Sequence, residues 1–339
     1  KRGTVKLSDT VKEFMEKPVK KYACGEKAQQ AQKTLQNTFT ASSAKSAADE
    51  KRLLSDVLET LNKTDSGRET LETLSDLGYK IKFQNLGKRF GGYCNYDDRV
   101  IVLNPTRSKN FLAVAVVHEG RHGIQFASEK KNAPIFEQTR VADMYRMRKA
   151  IEADACAHQS AFAYECKEAA PEVYAEQKRD YPMLTAYETE LDRTGDKRKA
   201  MQAAFKSWYD FPYYRDLYDE YYKDNGIKAM AEIGKQQKNP TLFSKEYSVK
   251  DVVDLCVFQG KPYMTADWLN SDKPNALTAE AKREIKAVLA DYAQAVPGAK
   301  SDMSINKMAT RDKDGKILGP AKMASNAAVL AKFTQGRGY

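Results

Sequence analysis

A chain of 339 residues, 42% apolar and 30% charged, is long enough to bury a full core and reads as a globular protein. Its longest apolar run, Phe111 to Val117, stops at His118, far short of the roughly 18 residues of a membrane span, so it reads as a buried helix. The net charge of +10 lies at the ends: residues 1–34 carry nine Lys/Arg against four Asp/Glu, residues 300–339 carry eight against three, and the 39 basic and 39 acidic residues between them cancel. That distribution fits solvated basic tails better than a nucleic-acid surface, which concentrates its charge on one face.

The five cysteines are scattered and form no CxxC pair, which argues against a disulfide framework and against a cysteine-rich zinc module. The scatter fits a reducing, cytoplasmic setting; numbering from Lys1 rather than Met leaves processing or secretion open.

In chain order, the first 62 residues read as polar helices near Ser8–Glu16, Glu26–Asn37 and Ala44–Leu61. Ser66 and Glu69 have capping-box spacing, which predicts a helix from there to about Leu77 with Gly78 as its left-handed stop. The period then changes. Tyr79–Phe83 alternates as a half-buried strand does, and Tyr93–Tyr96, Asp97-Asp98 and Arg99–Leu103 read as a hairpin closed by Asn104-Pro105. Asn110 is placed to cap a helix from Phe111 to Glu129, Ala133-Pro134 breaks the chain, and a long helix follows from about Gln138 to Lys167. Residues 171–235 read as helical throughout. Shorter helices follow at Val249–Cys256 and Thr278–Ala295, and a turn at Asp314-Gly315. No internal repeat is present. The expected fold is α+β and mostly helical: an N-terminal helical extension (1–65), a core with a small sheet and two metal-bearing helices (66–170), a C-terminal helical region (171–296) and a basic polar tail (297–339).

Two of the three histidines fall in His118-Glu119-Gly120-Arg121-His122. Residues four apart share a helix face, so two imidazoles can reach one ion, and the Glu beside the first can serve as general base to a water. The spacing predicts Zn²⁺ on His118 and His122, with Glu119 catalytic. No histidine stands at 128, so the third ligand must come from elsewhere. Glu152, among Ala150, Ala153, Ala155 and Ala157, is preferred; Asp154 and His158 are the rivals. Glu152 and His158 are six residues apart, about 240° net around a helix, and cannot both face one ion.

With Glu152-Ala153-Asp154-Ala155 downstream, the motif resembles the gluzincins, two-His-plus-Glu zinc peptidases, and is closest to an uncharacterised bacterial metallopeptidase group. It is also similar to repressor-cleaving peptidases of the ImmA/IrrE type, including a hairpin that ends at Ile101-Val102-Leu103-Asn104 just before the motif helix. The resemblance covers about residues 66–168. It implies a zincin-like core, ligands His118, His122 and Glu152, base Glu119, and a protein or peptide substrate. Where thermolysin-like chains carry Asp four residues after the third ligand, this one has Cys156, which leaves the partner of His118 unassigned.

Helical geometry puts Tyr145, Arg148, Cys156 and Gln159 near Glu152 and Gln125 near His118, with Tyr145 or Arg148 available to an oxyanion. The tyrosine-rich stretch Trp208–Tyr222 is interleaved with Asp210, Asp216, Asp219 and Glu220. Acidic neighbours oppose stacking on nucleic acid, and the stretch reads as helix-packing core or as a wall of the cleft. Two other functions compete: an inactive metal-binding scaffold, and a nucleic-acid-associated protein using its basic ends.

Overall fold

The computed structural model describes residues 25–88, 90–129 and 136–319; the expected helix Ser8–Glu16 and the break at Ala133-Pro134 lie outside them. The described chain is mostly helical with three small sheets, as expected. It opens with helices α1 (Glu26–Asn37), α2 (Ala47–Asn62) and α3 (Asp65–Asp76), then strands β1 (Lys80–Phe83), β2 (Gly92–Asn95) and β3 (Val100–Leu103). The hairpin β2–β3 is antiparallel, β1 lies parallel to β3 on its other side, and β2 is left at the sheet edge.

Two caps differ from expectation. Thr64, not Ser66, caps α3, its hydroxyl accepting from the Gly67 amide at 3.1 Å. Ser66 is inside the helix and donates through its amide and hydroxyl to Glu165 instead of pairing with Glu69. The motif helix α4 (Lys109–Ser128) is capped by Ser108, which accepts from the Phe111 amide at 3.0 Å; Asn110 already lies within the helix. Gly78 does close the α3 segment at φ +73°.

After a 3₁₀ turn at Phe136–Gln138 comes α5 (Val141–Ala169), the longest helix described. Its start (Val141, Met144, Tyr145), middle (Met147 to Ala161) and end (Phe162, Cys166) belong to three successive hydrophobic cores. A helix with apolar neighbours on most sides is buried nearly all round. The motif helix is seated just as tightly: a Cβ on Gly123 would stand 2.7 Å from the Tyr79 ring, and one on Gly120 would stand 3.1 Å from Leu74 of α3.

The stretch expected to be helical through residue 235 is helical but broken, at prolines and once at left-handed Gly195, into α6 (Pro171–Asp180), α7 (Pro182–Thr194), α8 (Lys197–Asp210) and α9 (Pro212–Tyr221). Proline starts three of these helices, where its missing N–H is not needed. A π-helical turn, Tyr222–Lys228, leads to α10 (Ala229–Gln237). Then follow α11 (Val249–Leu255), β4 (Val257–Phe258), β5 (Lys261–Pro262), α12 (Ala266–Leu269), β6 (Ala276–Thr278), α13 (Ala279–Ala295), β7 (Ala309–Arg311) and β8 (Ile317–Leu318). The strands after α11 have no counterpart in the sequence reading, because runs of two or three residues carry no measurable period.

Candidate metal centre

Helices α4 and α5 bring His118, His122 and Glu152 together, with one ligand atom from each within 4.8 Å of the others. One Glu152 carboxylate oxygen lies 3.7 Å from Nε2 of His118 and 3.6 Å from Nε2 of His122. Ligand atoms about 2.0–2.1 Å from a tetrahedral ion stand ~3.3 Å apart, so this donor set fits a metal after a small contraction. The imidazoles meet edge to face, their centroids 4.9 Å apart.

The back of each ring is held. His118 Nδ1 lies 3.0 Å from Gln159 Oε1, and His122 Nδ1 lies 2.9 Å from Gln125 Oε1. Gln125 donates through Nε2 to Asp154 at 2.6 Å and to the Ile151 carbonyl at 3.0 Å. A carboxylate and a carbonyl only accept, so the Gln125 oxygen must face His122 and take the Nδ1 proton. In the neutral ring, that leaves Nε2 of His122 with its lone pair toward the cluster. Asp154 is fully buried and also accepts from Arg121 Nε at 2.6 Å and from the Tyr263 hydroxyl at 2.7 Å. It stands behind the site, outside the cluster. Gln125 therefore serves His122 rather than His118, and Gln159 is the partner that His118 lacked in the sequence.

His158 points elsewhere. Its Nε2 lies 3.0 Å from the Val257 carbonyl, and burial together with nearby Arg121 lowers its pKa to about 3, so it stays neutral. Tyr145 is committed to the Asp219 carbonyl at 3.0 Å, inside the third core, and is not available to an oxyanion. The alanines flanking Glu152 (Ala150, Ala153, Ala157) share the second core with Ala200, Met201 and Ala204 of α8.

Electrostatics sharpen the division of labour. Burial opposes ionisation of Glu152, but His122 and His118 outweigh it and hold the carboxylate below its usual range. Burial likewise opposes charging of the two imidazoles; contacts with Cys156 and Glu152 for His118, and with Glu152 for His122, raise both pKa values in the metal-free protein. Glu119, one residue along α4, is pushed up by burial and accepts from the Cys94 backbone amide of β2.

Sequence reasoning missed Tyr218 of α9, whose hydroxyl donates to the clustered Glu152 oxygen at 2.8 Å. Burial and the neighbouring Glu152 charge raise its pKa well above the usual value, so it remains a donor. Tyr214, Tyr218 and Tyr222 are spaced four apart, and that single-face spacing within the aromatic stretch was the signal available. Their rings run along α9 into the π-helical turn at 6.3 and 5.7 Å, and Trp208 packs against Tyr214 and Tyr218. The stretch is thus core on one side and a wall of the metal cluster on the other.

No helix among the described residues is long and apolar enough to cross a membrane. No curated protein and no solved structure matches the chain. A protein-family model with the description "Putative metallopeptidase family (DUF6782)" matches residues 28–264, which include both helices of the cluster and the tyrosine wall. That family implies a metal cofactor, and the His118/His122/Glu152 cluster fits a metal site. With more than half of its length matched, the chain belongs to this metallopeptidase family.

Proposed function

We propose that the protein is a zinc-dependent peptidase of the zincin type, with His118, His122 and Glu152 as ligands and Glu119 as general base. The observation that carries this reading is the convergence of two imidazole Nε2 atoms on one Glu152 oxygen, with Glu119 beside them. A borderline-soft ion with nitrogen and oxygen donors suits that set, and three protein ligands leave a coordination position open. A zinc ion held there supplies Lewis-acid chemistry, polarising a carbonyl and acidifying water.

The chain's own residues account for the rest. Glu119, raised by burial, takes the proton of the attacking water on its carboxylate and returns it to the leaving amine. Gln125 and Gln159 keep the imidazoles in the tautomer that directs Nε2 inward. The Asn104 amide donates to the Gly91 carbonyl, so antiparallel alternation turns the backbone groups of Gly92 and the Cys94 carbonyl toward the outer edge of β2, the Cys94 amide being held by Glu119. An extended peptide can pair there, next to Glu119.

Metal analysis of protein purified without chelator, beside a His118→Ala control, tests the site: one zinc per wild-type chain and none in the variant is expected. Glu119→Gln tests the chemistry. It should keep zinc and thermal stability and lose hydrolysis of a protein substrate by at least about 100-fold. Full activity in that variant removes Glu119 from the mechanism.

A further inference from the structure

Four arginines in the described residues have a buried, unbonded Nε: Arg107, Arg146, Arg148 and Arg311. Three are otherwise engaged. Arg107 donates to the Lys88 carbonyl, Arg146 pairs with Asp143, and Arg311 pairs with Asp216 and Asp219. Arg148 makes no hydrogen bond and no ion pair with any described residue. Its guanidinium lies over the Phe136 ring, 4.1 Å from the centroid, a contact that holds the group without neutralising it.

Its position is informative. Arg148 precedes Glu152 by four residues on α5, so the two share a face with Cβ atoms about 5–6 Å apart. Tyr96 and Tyr222 each feel both the Arg148 charge and the Glu152 charge, so these two rings lie within electrostatic range of both groups. Tyr96 in turn stacks on the exposed Phe126 at 4.9 Å. One acid that senses the Arg148 charge is Glu129. Its carboxylate makes no ion pair with the guanidinium, accepts from the Tyr247 hydroxyl at 3.4 Å, and has its pKa raised by burial. A partly desolvated guanidinium with an open fork is a site for a planar, bidentate anion.

We propose that Arg148 anchors a carboxylate of the substrate beside the metal cluster. This rests on the peptidase reading and narrows its substrate class. Long helical side chains lean toward the helix N-terminus, so the Arg148 fork lies farther from the cluster than its Cβ does. Two sources present that chemistry: the free C-terminus of a peptide, and an Asp or Glu side chain.

The test uses four pools of synthetic octapeptides: free acid or C-terminal amide, each with glutamate or with glutamine at randomised internal positions. Binding to zinc-loaded Glu119→Gln protein is measured by calorimetry, and cleavage by the wild type is read by mass spectrometry. Pools bearing the recognised carboxylate should bind at least tenfold tighter than the amide–glutamine pool. Arg148→Gln, at unchanged zinc content, should abolish the difference, and Arg148→Lys should restore part of it. A preference that follows the terminal acid identifies a C-terminal carboxylate; one that follows glutamate identifies a side chain. Equal binding of all four pools, no binding of any, or an undiminished preference in Arg148→Gln overturns the proposal. Carboxylate-selective binding without cleavage by the wild type would count against the peptidase reading while leaving the Arg148 subsite standing.

Discussion

At the scale of single residues, the third ligand separates the possible readings most cleanly. Glu152, Asp154 and His158 lie on one helix, yet each faces a different partner: the imidazole pair, the Arg121–Gln125–Tyr263 group, and the Val257 carbonyl. Glu152→Ala should therefore weaken zinc binding strongly in a competitive zinc titration, and His158→Ala should leave it nearly unchanged. The reverse ranking would remove Glu152 from the ligand set. How far this could be read beforehand follows from helix geometry. The 240° between positions 152 and 158 is fixed by the period alone, so their mutual exclusion was legible. The preference for Glu152 rested only on its small alanine neighbours and on the gluzincin resemblance, because which of the two turns inward depends on how α5 lies against α4, α8 and the 257–263 hairpin. Tyr218 was hidden for the same reason: a residue 66 positions from Glu152 along the chain reaches it only through tertiary packing.

At the scale of elements, the pattern of legibility is similar. Helices with a clear apolar period and the β2–β3 hairpin stand where the sequence puts them. The caps do not, because Thr64, Ser66, Ser108 and Asn110 are all competent cap residues and the choice is made by where neighbouring elements end the helix. The parallel pairing of β1 with β3 was equally hidden, being a contact between segments 20 residues apart. Between α4 and α5 the decisive link is polar: His122 to Gln125, Gln125 to Asp154, Asp154 to Arg121 and Tyr263. Gln125→Leu keeps approximate shape but removes the acceptor that fixes the His122 tautomer. Zinc affinity should fall about 10- to 100-fold with little change in fold, as judged by metal titration and circular dichroism. Asp154→Ala behaves differently, since it strands a buried guanidinium. It should destabilise the metal-free protein by roughly 3–5 kcal/mol in urea unfolding. If Gln125→Leu binds zinc as the wild type does, the relay has no part in holding the site.

At the scale of the whole molecule, the cluster ties stability to pH in opposite senses with and without metal. In the metal-free protein, burial opposes a charge on His118 and His122, but their contacts with Cys156 and Glu152 raise both pKa values. A histidine raised above its unfolded value of about 6.5 contributes stability that is complete below that value and is lost as pH rises through the folded pKa. Glu152 is held below the usual carboxylate range and stays ionised from pH 6 to 8.5, so it adds no slope there. Zinc bound as proposed would need both Nε2 atoms bare, so its uptake near neutral pH should release the protons that those atoms hold in the metal-free protein. At fixed free zinc the stabilisation is RT ln(1 + [L]/Kd), and each displaced proton makes it grow by about 1.4 kcal/mol per pH unit while the histidines titrate. The rise in melting temperature on adding zinc should therefore increase from pH 6 to pH 8.5, while the metal-free protein itself loses stability over the same range. Calorimetric scans of both forms in a zinc-buffered series measure the two slopes, and zinc titrations in buffers of different ionisation enthalpy count the protons released. A zinc increment that is flat or shrinks with pH, with no protons released, would mean that the histidines are already neutral in the empty site and that Glu152 does not hold them charged.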